Sequence, residues 1–326
     1  MVPERSSKRP EEHIQPLNLS TDLNKVADLV ETCFPIQNDP DGQTYIREMR
    51  QAARDYRRLG WLSQIDQVRK GKAAGFVWVE GETIVGNLSL IPFKSGGNNI
   101  YLLANVAVHP EYRRKGIAKT LTVRALKHLR KHGEREVWLQ VRHDNQPAVD
   151  LYRSVGFLDR VTRTTWRIQP NQLTCLEDSG PQQVSLSSSY TKDWEKQQQY
   201  LALTYPKEMR WNLPINFRRF QPGVFQGISN FLDGVTLKRW EIIDQGRVCG
   251  WITWQKSDTF ANNLWLAFRE DLEPSLLPEA LNQVFLRLNK RHTVSVDYPF
   301  GRFQEGFERL GFNCFRTLIW MRLALN

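Results

Sequence analysis

The spacing of apolar and polar residues changes repeatedly along the chain and marks out its elements. Alternation over His13–Leu17 predicts a short strand. Ser20-Thr21-Asp22 offers a helix N-cap, and Leu23, Val26, Ala27 and Val30 follow on one helical face before Pro35 closes it. Gln43–Leu59 reads as a second helix ending before Gly60. Ala74–Glu80 and Thr83–Pro92 are β-rich runs around a Glu80-Gly81-Glu82 hairpin turn, and Ile100–Val108 is an apolar strand. Ile117, Leu121, Ala125, Leu126 and Leu129 stripe a helix that stops near Gly133. Val137–Val141 is a strand, Pro147–Val155 a short helix closed by Gly156, and Arg160–Ile168 a final alternating strand. The order β-α-α-β-β-β-α-β-α-β predicts an α/β fold with a mixed antiparallel and parallel sheet flanked by helices.

Residues 169–183 are polar and carry Pro and Gly, as a linker does. Beyond them the pattern returns. Val184 opens a strand, and the next helix ends at Tyr205-Pro206 as the first ends at Phe34-Pro35. Val248–Ile252 mirrors Ile84–Leu88. Val141 precedes Gly156-Phe157 by fifteen residues, and Val296 precedes Gly311-Phe312 by the same fifteen. A tandem duplication follows, with domains at 11–168 and 184–326.

The chain has 326 residues, 40% of them hydrophobic, and a net charge of +10. That composition excludes wholesale disorder. Residues 1–170 hold 27 Lys and Arg against 19 Asp and Glu, and the remainder 18 against 16, so the first half is the one expected to handle an anion. No run of about 18 apolar residues predicts a membrane span, and the basic tail over residues 1–10 lacks the apolar core of a secretory signal. Cys33, Cys175, Cys249 and Cys314 stand far apart, without metal or disulfide spacing, which points to a cytoplasmic protein with no metal site.

Candidate chemistry begins at Asn105-Val106-Ala107-Val108-His109-Pro110-Glu111-Tyr112-Arg113-Arg114-Lys115-Gly116-Ile117-Ala118, a strand, a turn and the start of a helix. The first backbone N–H groups of a helix lack internal partners, and its dipole makes that end positive, so a phosphate can be held there by the main chain. Gly116 removes the Cβ that would keep phosphates away, and Arg113, Arg114 and Lys115 add positive charge. Neither a P-loop nor a dinucleotide fingerprint is present. A second segment, Asp144 through Phe157, follows the next strand.

Together the two segments resemble the GNAT superfamily of acetyl-CoA-dependent N-acetyltransferases. Arg113-Arg114-Lys115-Gly116-Ile117-Ala118 stands where that family has its Arg/Gln-x-x-Gly-x-Gly/Ala pyrophosphate turn. Residues 145–157 match its Asn-x-x-Ala-x-x-Leu-Tyr-x-x-x-Gly-Phe pattern at every named position. The resemblance covers about residues 13–168, more faintly 184–326, and implies a GNAT-like fold duplicated in tandem. It implies that acetyl-CoA is the co-substrate, with Val106, Ala107, Val108, Arg113, Arg114, Lys115, Gly116, Ile117, Ala118, Lys119, Asn145 and Tyr152 in contact with it. Parallel strands at about 103–108 and 137–141 should splay apart, leaving backbone groups of Val106 and Val108 for the pantetheine arm. A backbone N–H near Val106 would polarise the thioester carbonyl, and Tyr152 would be the general acid for the departing thiolate. Asn145 also stands where an N-cap precedes Pro147.

The acceptor is less defined. The strand into the turn, Tyr101-Leu102-Leu103-Ala104-Asn105, has no carboxylate where many family members place a Glu. The base is then water ordered by Asn105, or Glu82 or Asp41; His109 reads as a loop residue. Arg47, Arg50, Arg54, Arg57 and Arg58 on the second helix offer either a solvated face or a site for an acidic amine acceptor. They are not interleaved with exposed aromatics, which argues against nucleic acid. The acceptor would be a small molecule or a peptide or protein amine, and the chain a monomer or homodimer. In the second half, Arg269-Glu270-Asp271-Leu272-Glu273-Pro274 is acidic where the phosphates would sit, so that half is expected to be a degenerate copy without cofactor, its seven Trp filling its core. The tandem form is similar to the mycothiol synthase family, whose active half is the second. The alternative is a non-catalytic acyl-CoA-binding sensor or interaction module with an acidic or nucleic-acid partner.

Overall fold

The computed structural model describes residues 9–37, 39–69, 73–95, 98–169, 183–188, 193–288 and 292–325. The linker sequence and Cys175 therefore lie almost wholly outside the described residues, as do the side chains of Arg57 and Arg58. The chain divides into two compact units, Met1–Arg160 with Ile319–Asn326, and Val161–Leu318. Limits of 11–168 and 184–326 follow chain order. The units instead have residues 161–168 in the second and 319–326 in the first, because a sheet edge selects a strand by hydrogen bonding and side-chain fit, not by position in the chain.

Unit 1 begins with β1 (Ile14–Pro16), α1 (Leu23–Cys33) and α2 (Pro40–Arg69). It continues with β2 (Gly75–Glu80), β3 (Thr83–Ser95), β4 (Asn98–Val108), α3 (Ile117–Lys131), β5 (Glu136–Arg142), α4 (Gln146–Ser154) and the start of β6 (Leu158–Ile168). β1 to β4 form an antiparallel series, and β5 lies parallel to β4. Residues from Ile319 close the sheet beside β5, where the Leu325 amide donates to Arg135 O at 2.8 Å.

Both faces of this sheet are covered, which is why β2 reads as an unbroken apolar run. Phe76 and Trp78 join α3 and α4 in one core, and Val77 joins α1 and α2 in the other. Gly86 in β3 makes close packing of α3 possible: a Cβ there would lie 2.9 Å from Ile117 Cγ2. The helix carrying the basic turn is thereby pressed onto the sheet.

Two local expectations are corrected. Asp22 does precede α1, but its carboxylate accepts from the Asn18 amide at 2.9 Å and makes no helix cap. α2 runs through Gly60 to Arg69, since an internal glycine weakens a helix by about 1 kcal/mol without ending it.

Unit 2 repeats the element order. It has β7 (Val184–Ser187), α5 (Trp194–Thr204), α6 (Val224–Leu232), β8 (Leu237–Asp244), β9 (Arg247–Gln255) and β10 (Ala261–Phe268). Then come α7 (Leu276–Arg287), β11 (Thr293–Pro299), α8 (Gln304–Arg309) and β12 (Asn313–Ala324). β7 to β10 are antiparallel, β10 and β11 parallel, and β11 pairs antiparallel with β6. Duplication of the mixed α/β fold is thus visible in the elements themselves. Trp240 and Trp166 lie in one core of this unit, and Trp251 and Trp265 in another. Among the described residues no helix is long and apolar enough to cross a membrane.

Met321 is fully buried in the core of unit 1, whereas Leu158 is 66% exposed. Met321→Ala should destabilise unit 1 by about 2–5 kcal/mol, read as a lower urea midpoint, with Leu158→Ala nearly neutral. Equal midpoints for the two variants would mean that the C-terminal strand is not seated in that core.

Candidate active site

The site grows from one extra residue in β4. Asn87 opposes Ala107 and Ser89 opposes Ala104, so Asn105 and Val106 together face the single residue Leu88. This is a β-bulge, which bends a strand and interrupts its ladder. Asn105 takes a left-handed conformation, φ 51°. Its carbonyl accepts from Asn87 Nδ2 at 2.8 Å, which holds the bend. β4 and β5 are in register only from Tyr101↔Val137 to Leu103↔Leu139, although β4 continues to Val108 and β5 to Arg142. Past Leu103 the parallel strands part. The bulge also resets the alternation: Val106 and Val108 pack with the α3 core, and Ala107 with the α1 and α2 core.

Beyond β4, the His109–Arg113 turn leads into α3. Gly116 caps the helix with φ 78°, and Arg114 is also left-handed at φ 62°. A non-glycine residue held there costs about 1–2 kcal/mol, a strain concentrated at the turn. No atom lies within 4 Å of the position a Gly116 Cβ would occupy. Among the described residues the backbone amides of Arg114, Lys115, Gly116, Ile117, Ala118 and Lys119 have no acceptor; the next amide, Thr120, bonds Gly116 O at 3.0 Å. Six consecutive free amides form an anion cradle at the positive end of a fifteen-residue helix. Arg114, Lys115 and Lys119 are exposed around it, Lys115 resting over the Tyr112 ring at 4.6 Å.

Arg113 and Val108 depart from the expected arrangement. Arg113 Nε donates to Val108 O at 3.2 Å, so this guanidinium folds back on its own strand. Cys33 Sγ reaches the same oxygen at 3.3 Å. The Val108 carbonyl is therefore not the free group that the strand alone promised, whereas Val106 lies in the bulge without a partner in the β3 register. Burial pushes the Cys33 thiol up, and the neighbouring Arg113 pulls it partly back.

Tyr152 and Asn145 come from α4. Asn145 Oδ1 accepts from the Ala148 amide at 3.3 Å, the expected N-cap ahead of Pro147. Tyr152 packs edge-on to Phe157, ring centroids 6.0 Å apart, in the core that Val106 and Val108 border. It is 7% exposed, and burial raises its pKa above the ordinary tyrosine value. The hydroxyl stays protonated at any working pH.

The other named residues are scattered. Glu82 sits on the β2–β3 turn with its carbonyl facing Lys25 Nζ at 3.4 Å. Asp41 lies in the first turn of α2, one helical turn before Tyr45. His109 Nδ1 is buried without a partner. Arg50 is paired with Asp28 at 2.8 Å and Glu31 at 2.6 Å, and Arg47 and Arg54 bond Thr44 and Gln51 on their own helix. This basic face is thus partly neutralised. Sequence reasoning missed Tyr45, Asn87 and Ser89, which gather around Asn105. One trace was legible: Asn87 and Ser89 are polar residues inside an otherwise apolar strand.

The equivalent place in unit 2 differs. β10 and β11 are in register only as far as Leu264↔Val296, but the Leu266 amide beyond is taken by Tyr205 Oη at 3.3 Å. The loop before α7 carries Glu270, Asp271 and Glu273, with Arg269 Nε 3.4 Å from Asp271.

Residues 24–157 match the Acetyltransferase (GNAT) family. The chain is similar to the mycothiol acetyltransferase of Thermobifida fusca (strain YX), 37% identical over 98 residues, 30% of this chain and 28% of that protein. It is also similar to the ribosomal protein bS18-alanine N-acetyltransferase of Escherichia coli (strain K12), 38% identical over 64 residues, 20% of this chain and 43% of that one. The chain spans less than half the length of these curated relatives. In fold it resembles the GCN5-related N-acetyltransferase of Sphaerobacter thermophilus, with a TM-score of 0.52 at 13% identity over 96% of this chain and 95% of that one. The family's acyl donor is acetyl-CoA, and a diphosphate with an amide-rich arm fits six free amides beside an opened strand. The likeness to the GNAT family of acetyltransferases thus rests on residues 24–157, within unit 1.

Proposed function

We propose that unit 1 transfers an acetyl group from acetyl-CoA to a primary amine on a small molecule or a peptide N-terminus. The carrying observation is the run of six free amides, Arg114 to Lys119, next to the gap between β4 and β5. Those amides hold the diphosphate, with Arg114, Lys115 and Lys119 adding charge and Ile117 and Ala118 lending only backbone. Arg113 steadies the end of β4 through Val108 O. Ala107 fastens the strand to the α1 and α2 core, and Asn145 fixes the start of α4 while bordering the cofactor arm.

Bound acetyl-CoA supplies an acetyl group activated as a thioester. The Val106 amide donates to the thioester oxygen as it gains charge. The neutral amine attacks the carbonyl carbon, the C–N bond forms, and the C–S bond breaks with its electron pair passing to sulfur. The Tyr152 hydroxyl gives the sulfur a hydrogen bond and then its proton; water takes the proton lost by nitrogen and Tyr152 is reprotonated. A buried tyrosine is a weak acid, so this donation is more uphill than from an exposed one and draws on the negative charge arriving at sulfur. The names of the relatives, a mycothiol acetyltransferase and a ribosomal protein bS18-alanine N-acetyltransferase, support an amine acceptor without choosing its carrier.

CoA release measured with a thiol reagent over a panel of amines and peptide N-termini tests the reading. Tyr152→Phe should lower kcat about 100-fold with CoA affinity unchanged; an unaltered kcat removes Tyr152 from the chemistry. Gly116→Glu should weaken CoA binding at least about tenfold by calorimetry, or ~1.4 kcal/mol, while the far-UV circular dichroism stays unchanged. Unchanged affinity would dismiss the amide cradle.

Burial raises the pKa of both Tyr152 and Tyr205. Each binds its proton more tightly folded than unfolded, so their contribution to stability is complete below the ordinary tyrosine pKa near 10 and falls as pH rises beyond it. Urea midpoints should decline above about pH 10, less steeply in Tyr152→Phe. A slope identical to that of the unsubstituted chain would show Tyr152 exposed in solution.

Unit 2 is proposed to take no cofactor, because Tyr205 occupies the gap amide and the helix entry is acidic. Calorimetry should find one CoA per chain; two would reverse this assignment.

A further inference from the structure

Asn105 makes more contacts than its place in a bulge requires. Its side-chain amide nitrogen donates to Tyr45 Oη at 2.6 Å and to Ser89 Oγ at 3.5 Å. Both donors are thereby taken, and Oδ1 is left with no hydrogen-bond partner among the described residues. Since Oδ1 is not among the buried unpartnered atoms, solvent reaches it. Tyr45 Oη accepts from Asn105, and its own hydrogen has no acceptor among the described residues; the side chain is 38% exposed. Behind them Asn87 is wholly buried, donates to Asn105 O at 2.8 Å and Ser89 Oγ at 3.2 Å, and keeps an unpartnered Oδ1. Leaving a buried carbonyl oxygen without a donor costs about 1–3 kcal/mol, so such an atom marks a place where a donor is expected.

We infer that Tyr45 and Asn105 seat the nitrogen of the acceptor amine, with Asn87 as the positioning residue that holds Asn105 in its left-handed turn. The inference rests on acetyl transfer at the β4 gap and names the groups that present the nucleophile there. An attacking amine needs its N–H bonds directed to acceptors so that its lone pair points at the thioester carbon. Asn105 Oδ1 and the Tyr45 oxygen supply those acceptors. Asn105 is the residue next to Val106, whose amide is assigned to the thioester oxygen, and adjacent Cα atoms are about 3.8 Å apart. Amine seat and carbonyl polariser are therefore consecutive on one bent strand. The seat is built of neutral dipoles, which orient nitrogen without a charge that would hold its proton in place.

The test uses the full chain with ¹⁵N labelling, CoA as the first probe and propylamine as the second. CoA should shift the Gly116 amide resonance. With CoA bound, propylamine should shift the Asn105 side-chain NH₂ pair saturably. Tyr45→Phe should weaken propylamine at least tenfold and change CoA affinity less than twofold. Asn105→Gly, which keeps the left-handed backbone, should do the same, followed at the Asn87 side chain. A Gly116 shift with an Asn105 pair indifferent to propylamine, or Tyr45→Phe binding it as tightly as the unsubstituted chain, overturns the amine seat alone. No Gly116 shift with CoA overturns the acetyl-transfer reading and the seat with it.

Discussion

A parallel strand pair must come apart without either strand losing its place in the sheet, and the bulge at Asn105 and Val106 is how unit 1 achieves it. An extra residue on β4 cannot be absorbed by β3, so the strand bends and its pairing with β5 ends after Leu103. Backbone groups that a regular ladder would consume are thereby left available. The bend is secured on its far side by Asn87, a polar residue buried completely so that its amide can reach one carbonyl.

From that bend the rest of the site follows in order. β4 delivers the chain into the turn whose amides lack acceptors among the described residues, and α3 is clamped against Gly86 through Ile117. α4, capped by Asn145, brings Tyr152 into the core that Val106 and Val108 border. Unit 2 has the same elements and a similar parting of β10 and β11, yet there a tyrosine hydroxyl accepts from the Leu266 amide. One architecture thus leaves backbone amides open in one copy and closes the corresponding amide with a side chain in the other.

The legible parts of the site were those written in short range. A glycine before a helix, basic residues around it, and an Asn before Pro147 are local chemistry; Gly116 and Asn145 cap their helices as their residue types favour, while Arg114 is held left-handed against its preference. Asn105 was legible as a polar residue that could order a water, but not as part of a side-chain cluster. Its partners Tyr45 and Ser89 are sixty and sixteen residues away, and no spacing along the chain connects them. The same holds for Val108, whose carbonyl looked available on β4 and is occupied by Cys33 from α1 and Arg113 from the turn.

Sequence by itself determined the kind of elements, their order, the duplication and the location of the basic glycine turn, because periodicity and backbone preference act within a few residues. The tertiary structure decided which strand closes each sheet, where β4 leaves β5, and which polar groups remain unpaired. Those outcomes depend on hydrogen bonds and packing between residues distant in the chain, where many pairings satisfy the same local pattern and only the assembled unit selects among them.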